Sequence, residues 1–380
     1  MFRLSDEQQA YVQHVRTVAE EKIVPVAAGG EGRVNRPLVS ALGAAGLLRG
    51  LFGGDDGESP RDAAAMQLCL LRESLAQVSG AAETALALQG LGSYPLLQAG
   101  SDEVVARWLP HVIAGDAVAA FALSESDAGS DAGALALRAD RDGDGWRLHG
   151  EKKWISNAPD ADIYSVFART TEEVRSRGIT GFAVAGDSRG LSGEPLVMLA
   201  AHPIGRLVFD GVRVDRADVL GEVDAGFAVA MRTLDLFRPS VGAFAVGMAQ
   251  AALDATVEYV RQRQAFGQPL AGQQSVAHRI ADMATELEAA RLMVYAAASA
   301  YDEGVEPRSQ TRRAAMGKLF ATEAAQRIVD GCVQLHGAVA LERGHLLEHL
   351  YRDVRAPRIY EGASEIQRSI IARELIGRYQ

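Results

Sequence analysis

Cysteine is nearly absent: the 380-residue chain holds two, Cys69 and Cys332, far apart in apolar stretches. Such a pair builds no disulfide framework, and its apolar settings read as packed thiols of a reducing compartment, so the cytoplasm is the expected location. Aromatic residues are scarce, 6% against 48% hydrophobic residues in total. The apolar content is mainly Ala, Leu and Val, which suits long, closely packed helices. Basic charge is in deficit, with 39 Lys and Arg against 49 Asp and Glu and a formal charge of -10. Without a dense basic run or a basic-aromatic stripe, nucleic acid is not expected as a partner. The start, "MFRLSDEQQAYVQHVRTVAEEKI", has no apolar signal core. No window approaches the roughly 20 uninterrupted apolar residues of a spanning helix, so a soluble chain with no membrane partner is expected.

What is present changes texture twice. Residues 5 to 25 carry helical periodicity behind Ser5, a good N-cap, until Pro25 interrupts it, and four more helical stretches follow up to about residue 117. From about residue 118 short alternating runs such as "WRLHG", "DIYSVFAR" and "GRLVFDGVRV" are broken by turn signals such as "RDGDGW", as in an antiparallel barrel or sandwich. After about residue 226 apolar residues again recur three and four apart over long segments, the pattern of a four-helix bundle. The expected fold is thus multidomain α+β, mostly α: an N-terminal helical domain at 1–117, a middle antiparallel β-domain at 118–226 and a C-terminal four-helix bundle at 227–380.

Five segments are candidates for chemistry, each with an ordinary reading beside it. The loop "FALSESDAGSD" (121–131) offers N–H groups and hydroxyls to an anionic or heteroaromatic ligand, yet those residues also make plain solvated turns. In "GEKKWISN" Trp154 and Ser156 alternate along a strand and could flank a planar cofactor, or Trp154 could be a core residue. "RQRQAFGQPL" (261–270) ends a long helix with Gly267 as its C-cap; Arg263 suits a phosphate and equally suits the helix dipole. "HLLEH" (345–349) fits a zinc pattern in which His345 and His349 bind the metal and Glu348 works on water. "RIYEGASEIQ" (358–367) places Glu361 before Gly362. It reads either as a helix-start acid with Ser364 as the cap, or as a general base on a rigid turn that Gly362 lets another molecule approach.

In this order, "LSDEQQAYVQHVR", "FALSESDAGSD", "GEKKWISN", "RQRQAFGQPL" and "YRDVRAPRIYEGASEIQRSIIAREL" resemble the acyl-CoA dehydrogenase family over essentially the whole chain. The resemblance implies FAD held between the β-domain, the bundle and a neighbouring subunit of a homo-oligomer, expected to be a tetramer. By position, Phe121, Leu123, Ser124, Trp154, Ile155 and Ser156 would line the flavin. Arg263, Phe266 and Gln274 would reach a neighbour's FAD, Gln334 to Gly337 its adenine half, and Gly362, Ala363 and Glu365 the cofactor beside the base. Ser130, Asp235 and Arg238 would meet the acyl thioester and its carrier, either CoA or an acyl carrier protein. Glu361 would remove the α-proton while the β-hydrogen leaves as hydride to flavin N5, with an electron-transfer flavoprotein as the expected acceptor.

Three departures from the family pattern stand out. Ala363 replaces the Thr of "EGT", Ala338 the second Gly of "GG", and the loop at "AAHPIGRLVF" is short. The rival expectations are a flavin oxidase or monooxygenase on the same fold, a zinc hydrolase using His345, Glu348 and His349, and a binding relative without flavin.

Overall fold

The computed structural model describes residues 3–30, 32–54, 59–172 and 175–377. Helix α1 (Asp6–Val18) starts on a capping box: Ser5 Oγ accepts from Gln8 N–H at 3.1 Å, and the Gln8 side chain accepts from Ser5 N–H at 3.0 Å. The α-helix gives way before Pro25, to a π turn over Ala19–Ile23; Pro25 then sits in the first turn of α2 (Val24–Ala27), where its missing N–H costs nothing. Then come α3 (Arg36–Ala44), the short strands β1 (Phe52–Gly53) and β2 (Arg61–Asp62), α4 (Ala65–Val78), α5 (Gly80–Ala99) and α6 (Asp102–Ala114). The strand region holds β3 (Ala119–Ala122), β4 (Arg138–Asp142), β5 (Gly145–Ser156), β6 (Ile163–Arg169), β7 (Ile179–Ala185), β8 (Leu191–Pro195), β9 (Ile204–Val214) and β10 (Val219–Leu220). The rest is α7 (Gly226–Gln262), the small ladder β11 (Gln264–Ala265) and β12 (Gln268–Pro269), α8 (Gln274–Asp302), α9 (Pro307–His336), α10 (Leu346–Asp353) and α11 (Ser364–Ile376).

The chain forms two units. One comprises residues 1–20, 64–83 and 235–380. In it α1 packs on α4, α4 on α8, α8 on α9, and α10 and α11 on α9. Small residues let these helices approach closely: a Cβ on Gly247 of α7 would lie 2.5 Å from the Glu73 carbonyl oxygen of α4. Helix α7 is both long and apolar enough to cross a membrane, but 78% of that window is buried, as in the core helix of a globular unit.

The other unit comprises residues 21–63 and 84–234. Its sheet runs β10-β7-β6-β4-β5-β9-β8, with β3 added to β6. Pairing is antiparallel except at β6, beside which β3 and the first residue of β4 run parallel. Leu96, Leu109 and Val112 of α5 and α6 bury themselves against Ala119, Ile163, Ala183 and Leu220 of the sheet. Each buried leucine contributes about 2 kcal/mol of transfer free energy. Gln89 of α5 adds register, donating to the Ala117 carbonyl and accepting from Ala119 N–H, both at 2.7 Å.

Candidate active site

The carboxylate of Glu361 sits on a turn that its sequence would not adopt unaided. Its φ is 50°, in the left-handed region costly for a side chain, and Gly362 follows at φ 91°. Two neighbours fix this turn. Lys318 of α9, wholly buried, donates from Nζ to the carbonyls of Tyr360 at 2.9 Å and Gly362 at 2.6 Å. Gln367 of α11 donates from Nε2 to the Gly362 carbonyl at 2.9 Å. A Cβ on Gly362 would fall 2.4 Å from Gln367 Nε2, so the glycine is required twice, by conformation and by space.

Glu361 Oε2 is shielded and has no hydrogen-bond partner among the described residues. Desolvation therefore pushes the carboxyl above its ordinary value, opposed by the charges of Arg72, Lys318 and Arg238 in that order. This is the electrostatic setting of a base with real proton affinity. Burial also lowers the Lys318 ammonium to about 8. Ser364 does not cap α11, as one reading had it: Ala363 is the N-cap, with no side chain to accept, and Ser364 Oγ donates to Glu323 Oε1 at 2.7 Å.

The other expected site residues of this unit differ in exposure, Arg238 being buried and acting on Glu361. Arg263, Gln274, Gln334, Gly337 and Glu365 are exposed. Phe266, 93% exposed, is held at φ 52° in the β11–β12 turn, and Gly267 serves that turn, not the end of α7. Asp235 and Arg238 pair one helical turn apart on α7.

In the sheet unit the loop after β3 is pinned to β5. Lys152, wholly buried, donates from Nζ to the Leu123 carbonyl at 2.9 Å and to Glu125 Oε1 at 2.8 Å. Glu125 also accepts from Ala136 and Leu137 N–H at 2.7 and 2.9 Å, so both buried charges are satisfied. Lys153 N–H donates to the Ser124 carbonyl at 3.0 Å, which sets the loop beside Trp154. Trp154 does not alternate regularly with Ser156: it sits at φ 58° in a bulge between Lys152 and Ile155, and the ring is 44% exposed. Phe121 packs on Phe167 at 5.1 Å between centroids, the Ile155 side chain is buried inside the unit, and Ser130 is exposed.

The zinc expectation fails on geometry. His345 caps α10, its Nδ1 accepting from Leu347 N–H at 3.1 Å, while Glu348 is engaged by Arg352 at 2.7 Å. No group of three metal-ligating side chains occurs among the described residues.

Comparison with known proteins follows this geometry. The acyl-CoA dehydrogenase N-terminal domain matches residues 5–116, the middle domain 120–212 and the C-terminal domain 224–376. The chain belongs to the acyl-CoA dehydrogenase family. With that membership comes oxidoreductase activity on the CH–CH bond of acyl-CoA thioesters, in a family that generally binds FAD. The chain is 36% identical over 381 residues to cyclohexane-1-carbonyl-CoA dehydrogenase of Geobacter metallireducens, covering 99% of each. Among solved structures, butyryl-CoA dehydrogenase from Megasphaera elsdenii superposes with a TM-score of 0.90 at 32% identity, covering 99% of this chain and 100% of that one. A chain from the structure of the electron transferring flavoprotein of Acidaminococcus fermentans gives 0.92 at 30% identity, covering 100% of both. Within the family frame, three residues that sequence reading missed now stand out, Arg72, Lys318 and Gln367. Only their burial marks them, because charged and amide side chains on helices ordinarily face water.

Proposed function

We propose that this enzyme dehydrogenates its acyl thioester with Glu361 as the base and FAD as the cofactor. The observation that carries the reading is the Glu361 carboxylate itself: desolvated, unpartnered at Oε2 and clamped on a left-handed turn by Lys318. The α C–H bond breaks toward Glu361, its electron pair forms the α,β double bond, and the β-hydrogen departs with its own pair. What FAD supplies when bound is a hydride acceptor, its N5.

The residues present suit that cofactor. Ser124 and the exposed Trp154 face lie side by side, because Lys153 ties the loop to the strand. Phe121 and Ser156 are assigned to the flavin by their side chains and Leu123 and Ile155, whose side chains are buried, by their backbone; in the other unit, the uncapped N-terminus of α11 at Ala363, with Gly362 and Glu365, offers backbone donors. Ser130, Asp235 and Arg238 are assigned to the carrier arm of the thioester. The exposed Arg263, Phe266, Gln274, Gln334 and Gly337 are assigned to the FAD of a neighbouring subunit in a homotetramer, with Phe266 held out at 93% exposure. An electron-transfer flavoprotein is the acceptor we assign and the cytoplasm the location, in keeping with two buried free thiols.

The test is anaerobic titration with straight, branched and cyclic acyl-CoAs, following flavin bleaching in wild type and Glu361→Gln. Loss of a general base lowers the rate on the order of 10²–10⁴-fold. Undiminished bleaching in the variant removes Glu361 from the mechanism, and oxygen uptake during turnover without an acceptor replaces dehydrogenase by oxidase.

A further inference from the structure

The reaction above uses one carboxylate, yet the same unit holds a second, Glu83, that the reaction leaves out. Glu83 lies in the first turn of α5 and is 0% exposed. Arg72 of α4, itself 2% exposed, donates from Nε to Glu83 Oε1 at 2.5 Å. The same guanidinium donates from Nη1 to Ser240 Oγ of α7 at 2.7 Å and lies 5.9 Å from the Phe244 ring centroid. Arg72 is thus fixed by an acid, a hydroxyl and a ring.

Both acids around it are incompletely met. Glu83 Oε2 and Glu361 Oε2 each lack a hydrogen-bond partner among the described residues and are closed to solvent. Arg72 acts on both, and of the positive charges acting on Glu361 it is the strongest. Two carboxylates, each with a shielded and unpartnered oxygen, thus lie in the field of one cation, which hydrogen-bonds Glu83. A purely structural pair accounts poorly for this arrangement, since a buried ion pair stabilises little over apolar packing and an orphaned oxygen makes it worse.

We propose that Glu83 is a positioning residue of the dehydrogenation, sharing the Arg72 guanidinium with Glu361 and so setting the strength of Glu361 as a base. The proposal rests on Glu361 being that base. With Glu83 ionised, the field of Arg72 is divided and Glu361 takes up a proton more readily; with Glu83 neutral, the cation acts on Glu361 alone and weakens it. The other groups that face the pair are Lys318 of α9 and Arg238 of α7 toward Glu361, and the Tyr360 phenol toward Glu83, with Asp353 of α10 acting on Tyr360. Burial raises Glu83 to about 7 against the pull of Arg72, so its ionisation changes within the working pH range.

The experiment is the pH dependence of flavin reduction by the fastest acyl-CoA of the panel, anaerobically, in FAD-loaded wild type, Glu83→Gln, Glu83→Asp and Glu361→Gln. Wild type should show two coupled groups, that of Glu83 near pH 7. Glu83→Gln should show one, with its midpoint shifted down because the cation is no longer shared. Glu83→Asp, which keeps the charge, should bring back the second group. A Glu83→Gln profile that matches wild type after multiplication by a constant makes Glu83 merely structural and overturns the proposal. A single group in wild type overturns it with no variant needed. Failure of the base reading is separate: it appears as persistent reduction in Glu361→Gln, whatever Glu83 does.

Discussion

At the scale of single residues the site depends on one lysine. Holding a glutamate at φ 50° costs about 1–3 kcal/mol, which the turn sustains because Lys318 takes the carbonyls on either side of Glu361. Lys318 also supplies positive charge to a carboxylate that desolvation would otherwise neutralise. Lys318→Met removes both effects, taking the lysine donor from the Tyr360 carbonyl and leaving that of Gly362 to Gln367 alone. A base displaced by about 1 Å loses on the order of 10²-fold in rate, so flavin reduction by saturating acyl-CoA should slow by about that factor. Stopped-flow reduction at saturation, beside a thermal melt to confirm folding, decides the matter. A folded variant within twofold of wild type would mean that Gln367 and Gly362 hold the turn without it.

At the scale of elements, strand β5 joins the sheet to the loop of residues 121–131 through one buried ion pair. Lys152 and Glu125 satisfy each other and two backbone N–H groups, so removing the ammonium strands a charge nearly out of reach of water. Lys152→Met should cost about 3 kcal/mol in urea unfolding and speed FAD loss, since Leu123 and Ser124 lose their anchor. Unchanged stability would show that the two N–H donors suffice for Glu125. The sequence pattern made part of the fold legible: short alternating runs marked β5, β6 and β9, and Ser5 marked the α1 cap. The bulge at Trp154, the turn at Gly267 and the π turn at Ala19–Ile23 were not legible, because each is set by what packs against it. Glu361 drew notice through its glycine and the family resemblance, and its shielded, unpartnered Oε2 is what the fold adds. Arg72, Glu83 and Lys318 were not, since helix charges read as solvated until folding buries them, the first two through partners distant in sequence. The "HLLEH" spacing is the opposite case, a motif-like interval whose first histidine caps the helix.

At the scale of the whole molecule, buried titratable groups make stability depend on pH in a way that net charge alone would not suggest. The folded chain holds Glu83 at about 7 against an ordinary 4.5, so across that interval it binds more protons than the unfolded chain, and stability falls as pH rises. Glu361, Asp235 and Asp302 are raised by burial and act in the same direction. His336, lowered by desolvation and by His345, opposes them over the upper part of the range. Lys152 and Lys318, both lowered to about 8 from 10.5, leave the folded chain with fewer protons above that value, so stability recovers as pH rises further. The recovery is short, because burial raises the thiols of Cys69 and Cys332 from 9.0, and from there the protons they retain offset those the two lysines have lost. Urea midpoints of the protein should therefore fall between about pH 5 and pH 7 and rise between about pH 8 and pH 9. Glu83→Gln carries no ionisable group at that position, so its curve should be distinctly flatter over the first interval while keeping the second. Parallel curves for wild type and variant from about pH 5 to pH 7 would place the Glu83 titration outside that interval. Arg72 would then hold Glu83 ionised throughout, and the guanidinium would be divided between the two acids at every pH at which the enzyme works.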